Sequence, residues 1–138
     1  MAVTITDTTQ SAATLSMATA TIQSSATLTS EEIDRGANTQ VSPVTGLLTV
    51  TGFAAAPAAG GYMAVYIVPL SGTGGTLFSD ATGPAVVPVT ADALYNAPVT
   101  LQWPPGARYA KAIVGNKSSQ NTDANAVSLT LMYQAVTV

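Results

Sequence analysis

Glu31, Glu32 and Asp34 form the one cluster of carboxylates in a chain of 138 residues that has seven acidic residues, four basic ones and neither His nor Cys. Two carboxylates can do acid–base work on a glycosidic bond when they flank it from one side. On an extended chain Glu32 and Asp34 share a face, but no aromatic platform stands nearby in sequence. A short charge run is far more often a solvated or interface edge. A carboxylate works near neutral pH only where burial raises its pKa, and this polar stretch is poorly suited to burial. Without imidazole or thiol, the chain has no His-assisted serine, no cysteine nucleophile and none of the usual zinc ligand sets. The expectation is a protein that is not an enzyme and takes no metal or cofactor.

The remaining motifs read in the same direction. Gly72-Thr73-Gly74-Gly75-Thr76 lacks the Lys of a phosphate loop, and no helix is expected after it, so it reads as a turn. No Asp-x-Asp-x-Asp run offers a calcium loop, and no Gly-x-Ser-x-Gly elbow is present. Asn116-Lys117-Ser118 matches a glycosylation sequon, but with no secretory signal expected the match reads as chance. Trp103 and Tyr109, on either side of Pro104-Pro105-Gly106, could make a sugar-stacking surface. The alternation of Trp103 with Val99 and Leu101 points instead to a core position.

Charge narrows the partners. Only 8% of residues are charged, against about 25% in an ordinary soluble domain. The net charge is −3, with Arg35, Arg108, Lys111 and Lys117 the only basic residues. Phosphate backbones and anionic membranes are bound by clustered Lys and Arg, so neither nucleic acid nor membrane is expected as a partner. The first residues lack the basic and apolar regions of a secretory signal, and no apolar run approaches 18 residues, so neither a secretory signal nor a membrane-crossing helix is expected.

Candidate residues need elements to hold them, and Gly60–Leu70 is the stretch around which the chain is organised. Tyr62, Ala64, Tyr66, Val68 and Leu70 share one side of an extended chain; Met63, Val65 and Ile67 share the other. Apolar residues on both sides, rich in β-branched and aromatic types, read as a central strand. Pro69 should mark a bulge or the point where the strand leaves its ladder. Leu47–Phe53 reads as a strand joined to this one by a hairpin-like seven-residue connection. Gly83–Asp92, with Pro84 and Pro88, reads as an edge segment or loop rather than a paired strand. Pro98–Trp103, Ala107–Val114 and Val127–Ala135 alternate as strands, with Gly115–Ala124 a polar loop.

Two N-terminal stretches carry the interface expectations. Residues 1–25 have β-like Thr-rich alternation but little bulk, punctuated by Val3, Ile5, Leu15, Met17 and Ile22. They read either as a frayed leader or as an extended arm that pairs along a sheet edge, its own or a neighbour's. In residues 26–36, Thr29-Ser30-Glu31-Glu32 has capping-box spacing, but Gly36 leaves room for only two turns. A kinked strand with Leu28 and Ile33 inward and Glu31, Glu32 and Asp34 outward suits it better. The architecture expected is all-β: one antiparallel β-sandwich over 26–138, jelly-roll or Greek-key in wiring, with residues 1–25 as an extended arm.

The stretch Ala-Thr-Leu-Thr-Ser-Glu-Glu-Ile-Asp-Arg-Gly resembles the opening strand of small jelly-roll structural proteins of tailed bacteriophage virions. Leu-Leu-Thr-Val-Thr-Gly, followed by Tyr-Met-Ala-Val-Tyr-Ile-Val-Pro-Leu-Ser-Gly-Thr, resembles their paired inner strands and Gly turn. The resemblance covers roughly residues 26–80, and Gly-Gly-Thr-Leu-Phe stands where Asp-Gly-x-x-Tyr is commoner. It implies a capsid decoration (cement) protein located in the virion. Its partner would be the major capsid protein or another virion protein, and the chain itself a homo-oligomer such as a trimer. A tail or host-recognition module binding surface carbohydrate is the alternative it leaves open. Replacing Glu31 and Glu32 by Gln and Asp34 by Asn is expected to alter assembly or solubility with no turnover to lose. Hydrolysis of a glycan or ester by the wild type that disappears in this triple variant would overturn the non-enzyme reading.

Overall fold

A computed structural model describes residues 4–10, 22, 24–35, 39–41, 44–75, 82–89, 91–124 and 126–137; for 4–10, 39–41, 82–83 and 133–137 it is the backbone that is described. The strands are β1 (Thr4–Gln10), β2 (Thr27–Thr29), β3 (Ile33–Asp34), β4 (Thr39–Val41), β5 (Val44–Val50), β6 (Tyr62–Pro69), β7 (Thr82–Pro88), β8 (Tyr95–Leu101), β9 (Tyr109–Lys117) and β10 (Val127–Thr137). They form two antiparallel sheets, one ordered β1–β10–β5–β8 with β4 also on β10, the other β2–β9–β6–β7 with β3 also on β9. β2 and β3 lie end to end along β9, and β4 and β5 lie end to end along β10. Counting each of these as one broken strand, the positions taken in chain order fall as 1-8-3-6 in one sheet and 2-7-4-5 in the other. That is the jelly-roll arrangement of two interlocked Greek keys.

The wiring corrects the expected hairpin. β5 pairs with β10 and β8, whereas β6 pairs with β9 and β7, so the connection after β5 crosses from one sheet to the other. Leu48 and Val50 of β5 and Met63, Val65 and Ile67 of β6 instead meet face to face in one core. Adjacency in sequence and apolar alternation are equally compatible with pairing and with facing. β6 is internal as expected, but its bulge lies between Val65 and Ile67 against β7, while Pro69 stays opposite Ala110 as the last residue of the strand. The segment with Pro84 and Pro88 is a paired edge strand, bonded to β6 on one side. Edge position is where a proline's missing N–H costs the ladder nothing.

Between the sheets lie Leu48, Val50, Met63, Val65, Ile67, Val114, Val127, Leu129 and Leu131, all buried. Gly46 on β5 completes this interior. A Cβ there would come within 2.9 Å of Val99 Cγ2 and 3.0 Å of Leu131 Cδ2, so these two side chains fill the space that its missing side chain leaves. Ala110, Ala112 and Val114 point inward from β9 as the alternation required, and Trp103 is core at 7% exposure. Tyr66, on the second apolar side of the central strand, is half-buried, because it points out of the sandwich opposite Ile113. The kinked strand over 26–36 is seen as β2 and β3, with Ile33 buried and Leu28 packed against the core. At the kink Ser30 replaces ladder bonds: its N–H donates to Ala112 O at 2.8 Å and its Oγ accepts from Ala112 N at 2.9 Å.

β1 runs antiparallel to β10 of its own chain, Thr4 opposite Thr137 through Gln10 opposite Leu131. Ile22 is one of the fully buried side chains. Val3, Leu15 and Met17 lie outside the described residues, as do Leu77 and Phe78. Leu129 sits on the inward face of the central strand β10, fully buried. Leu129→Ala should therefore lower stability by about 2–5 kcal/mol in urea unfolding, and a loss under about 1 kcal/mol would contradict this placement.

Candidate functional site

The three acidic residues do not converge. Glu32 reaches the turn after β6, where its carboxylate accepts from Gly74 N at 2.7 Å and Thr73 Oγ1 at 3.0 Å. Asp34 takes Arg108 Nε at 2.9 Å and Nη2 at 3.1 Å, a bidentate pair. Glu31 is exposed. Glu32 and Asp34 are thus each engaged by a different loop of their own chain, not set as two carboxylates facing one substrate.

What they do is brace one end of the sandwich. The Ser71–Gly75 turn closes on itself through Gly75 N to Gly72 O at 2.9 Å, and Glu32 ties it to the segment leading into β3. One amide of this glycine turn thus does receive a carboxylate, from within the chain. Across from it, Ala107 O accepts from Trp103 Nε1 at 2.7 Å and from Arg35 Nε. Arg108 lies 4.9 Å from the centre of the Tyr109 ring. Its hydrogen bond to Asp34 holds the guanidinium pKa above its ordinary value, against an opposing effect of desolvation. The pair is 43% and 42% exposed, so it orients the loop more than it stabilises the fold.

Between these two braced loops opens a cleft of about 610 Å³, lined by Pro69, Leu70, Ser71, Gly72 and the Pro104–Tyr109 segment. The sugar platform expected from Trp103 and Tyr109 is not built there. Trp103 is turned into the core with its indole N–H satisfied, and a face of Tyr109 carries Arg108. Among the described residues no group of three or more metal-ligating side chains comes together.

A second polar constellation was not legible as such in the sequence. Asn116, Ser118 and Thr122, in the stretch expected to be a polar loop, are buried. Asn116 Nδ2 donates to Ile22 O at 2.9 Å and Gln120 O at 2.7 Å, while its Oδ1 accepts from Ser118 N at 3.0 Å and Ser118 Oγ at 2.6 Å. Thr122 completes the clasp, its Oγ1 accepting from Ile22 N at 2.8 Å and its N–H donating to Ile22 O at 3.0 Å. The available signal was parity: Ala110, Ala112 and Val114 point inward, and Asn116 is next in that series. The sequon amide is thereby enclosed and doubly bonded, inaccessible to a transferase in the folded chain. Ile22, an expected interface residue, is instead a core residue fastened by this clasp. Ile5 lies on β1, where the backbone alone is described, and Glu32 and Asp34 contact their own chain's loops.

No protein-family model matches the chain, and no curated protein matches it in sequence. Among solved structures it superposes over 98% of its length, with a TM-score of 0.55 and 13% identity, on a chain from the structure of the infectious bursal disease virus Gx strain. It covers 32% of that chain, so it spans about a third of that protein's length. At this identity the likeness shows a shared fold. Looser similarity extends to a pilus chain of Bacillus endospore appendages (TM-score 0.38, 10% identity, 99% of this chain and 88% of that one). A family two carbohydrate esterase from Cellvibrio japonicus is looser still (TM-score 0.30, 12% identity, 97% of this chain and 34% of that one). Both lie below the level at which a common fold can be read.

The clasp generates a test of its own. Asn116→Ala removes four hydrogen bonds and leaves the Ser118 N–H without its acceptor, while Ile22 O keeps Thr122 N–H and Gln120 O keeps Ser118 Oγ; it should cost roughly 1–3 kcal/mol. Limited proteolysis should then cut on the N-terminal side of Ser24 before the sandwich itself is digested. An unchanged cleavage pattern would show that the clasp does not hold Ile22.

Proposed function

We propose that this chain is a structural subunit of a virus particle, of the capsid decoration type, that attaches to shell proteins and adds contacts between them. The observation that carries the reading is the jelly-roll wiring together with superposition over nearly the whole chain on part of a virus structural chain. Composition supports it: with 8% charged residues the surface has little electrostatic protection against association, as suits a molecule normally covered by neighbours. A subunit that binds the assembled lattice and not its dispersed parts stabilises the lattice by mass action. The chain acts as a homo-oligomer in this reading, a trimer being the arrangement that fits a three-fold position.

The N-terminal strand is the natural means of attachment. Among the described residues β1 is bonded to β10 alone, at an edge of its sheet, and in this reading its other edge pairs with an extended segment of a neighbour. The internal anchor at Ile22 separates two truncations. Removing residues 1–20 should leave a cooperative folded sandwich that binds particles poorly, whereas removing 1–25 also takes Ile22 from the core and should lower the melting temperature. Sedimentation of each purified form with particles, beside a thermal melt, checks both. Normal co-sedimentation of the 1–20 deletion would refute a role for the strand in attachment.

The carbohydrate-binding alternative has one observation in its favour, the cleft beside Arg108 and Tyr109. A glycan screen with the wild type and Tyr109→Ala distinguishes it. Specific binding that the substitution abolishes would favour the recognition module over the shell subunit.

A further inference from the structure

The two outer faces of the sandwich differ in chemistry. On the β1–β10–β5–β8 sheet the outward side chains include Thr45, Thr49, Asn96, Thr100, Ser128 and Thr130, with Leu47 and Met132 exposed among these mainly polar neighbours and no lysine or arginine on that sheet's described strands. On the other sheet, Tyr62 and Tyr66 of β6 and Ile113 of β9 point outward, with Val86 of β7 beside Ala64. Tyr62 is 37% and Val86 51% exposed, and Tyr66 and Ile113 are half-buried. This is the second apolar side of the central strand, the side a strand in an open sandwich ordinarily makes polar.

Cations stand at both ends of this face. Lys117 lies opposite Tyr62 and Lys111 opposite Val68, both outward on β9. Six residues along a strand separate them by roughly 20 Å. Neither has a carboxylate partner among the described residues, whereas Arg108 is paired with Asp34. Half of the basic residues of a chain with net charge −3 are thus set, unpaired, at the two ends of one apolar patch.

We propose that this face docks on an anionic patch of a protein of different sequence within the particle. Carboxylates of that partner meet Lys111 and Lys117, and its apolar centre covers Tyr62, Tyr66, Ile113 and Val86. The inference rests on the structural-subunit reading and specifies the surface that reading needs. Tyrosines at the centre with charge at the edge match the anatomy of protein interfaces, where central aromatics supply energy and rim charges supply register and encounter rate. A second copy presenting the same face is the wrong occupant by charge. Such an isologous contact places the same patch on both sides and would bring four unpaired lysines together, with no carboxylate among the described residues of the patch to pair them.

The test is zero-length coupling with a water-soluble carbodiimide on purified particles carrying the full chain, read by peptide mass spectrometry. Lys111 and Lys117 are expected to couple to Asp or Glu of another sequence. The K111E/K117E double variant should keep the wild-type melting curve yet lose roughly tenfold or more of its retention on particles. Coupling solely between copies of this chain overturns the proposal in favour of self-association. Lysines left uncoupled on a particle-bound chain, or undiminished retention of K111E/K117E, overturn it while leaving the structural-subunit reading intact. Absence of the chain from particles overturns both.

Discussion

Every strand of this molecule must present alternate residues to one interior between two sheets about 10 Å apart, and most of the structure follows from that requirement. β5, β6, β9 and β10 bear it most heavily, since each is flanked by strands on both sides and supplies an inward series. From β10 come Val127, Leu129 and Leu131, and from β9 come Ala110, Ala112 and Val114. The small residues of β9 stand beside the large ones of β6, and Gly46 of β5 lies between Val99 of β8 and Leu131 of β10, so volume is balanced between neighbouring strands of each sheet. Slipping any of these strands by one residue would exchange its core face for its outer face, so register is held by burial.

The same parity explains the buried polar clasp. Once Ala110, Ala112 and Val114 face inward, Asn116 must follow them, and a buried amide is tolerable only when its donors and acceptors are matched. The backbone of Ile22, Ser118 and Gln120 provides that match, and among the described residues no buried side-chain polar atom is left without a partner. A polar side chain in the core therefore acts as a fastener, selecting which residue of the N-terminal segment enters the sandwich. An apolar residue at 116 could fill the same space but could not specify Ile22.

Strand positions were largely readable from alternation and turn residues; pairing was not. Val127–Leu131, the kinked Thr27–Asp34 stretch and the central Tyr62–Pro69 strand carry their own period, because burial on a pleated surface is a local property of sequence. Which sheet a strand joins is decided by contacts distant in sequence, and for that reason β5 and β6 resembled a hairpin while belonging to opposite sheets. The acidic residues were legible as outward-facing and as poor catalysts, but their partners were not. Glu32 finds a turn 42 residues away and Asp34 finds Arg108, 74 residues away, separations that no local pattern encodes.

The central strand poses the remaining physical question, since its two faces are both apolar while only one lies between sheets. Inside, Met63, Val65 and Ile67 are covered by β5 and β10; outside, small Ala64 and flanking side chains already shield part of the strand, yet Tyr62 and Val86 still meet solvent. A surface of that kind raises the chain's tendency to associate, and the scarcity of charge elsewhere does little to oppose it. The unpaired lysines resolve the conflict between adhesion and specificity. Like charge repels a second copy presenting the same face, while a complementary anionic surface is attracted to it. Apolar area alone would invite indiscriminate association; bounded by Lys111 and Lys117, it becomes selective for a partner of opposite charge.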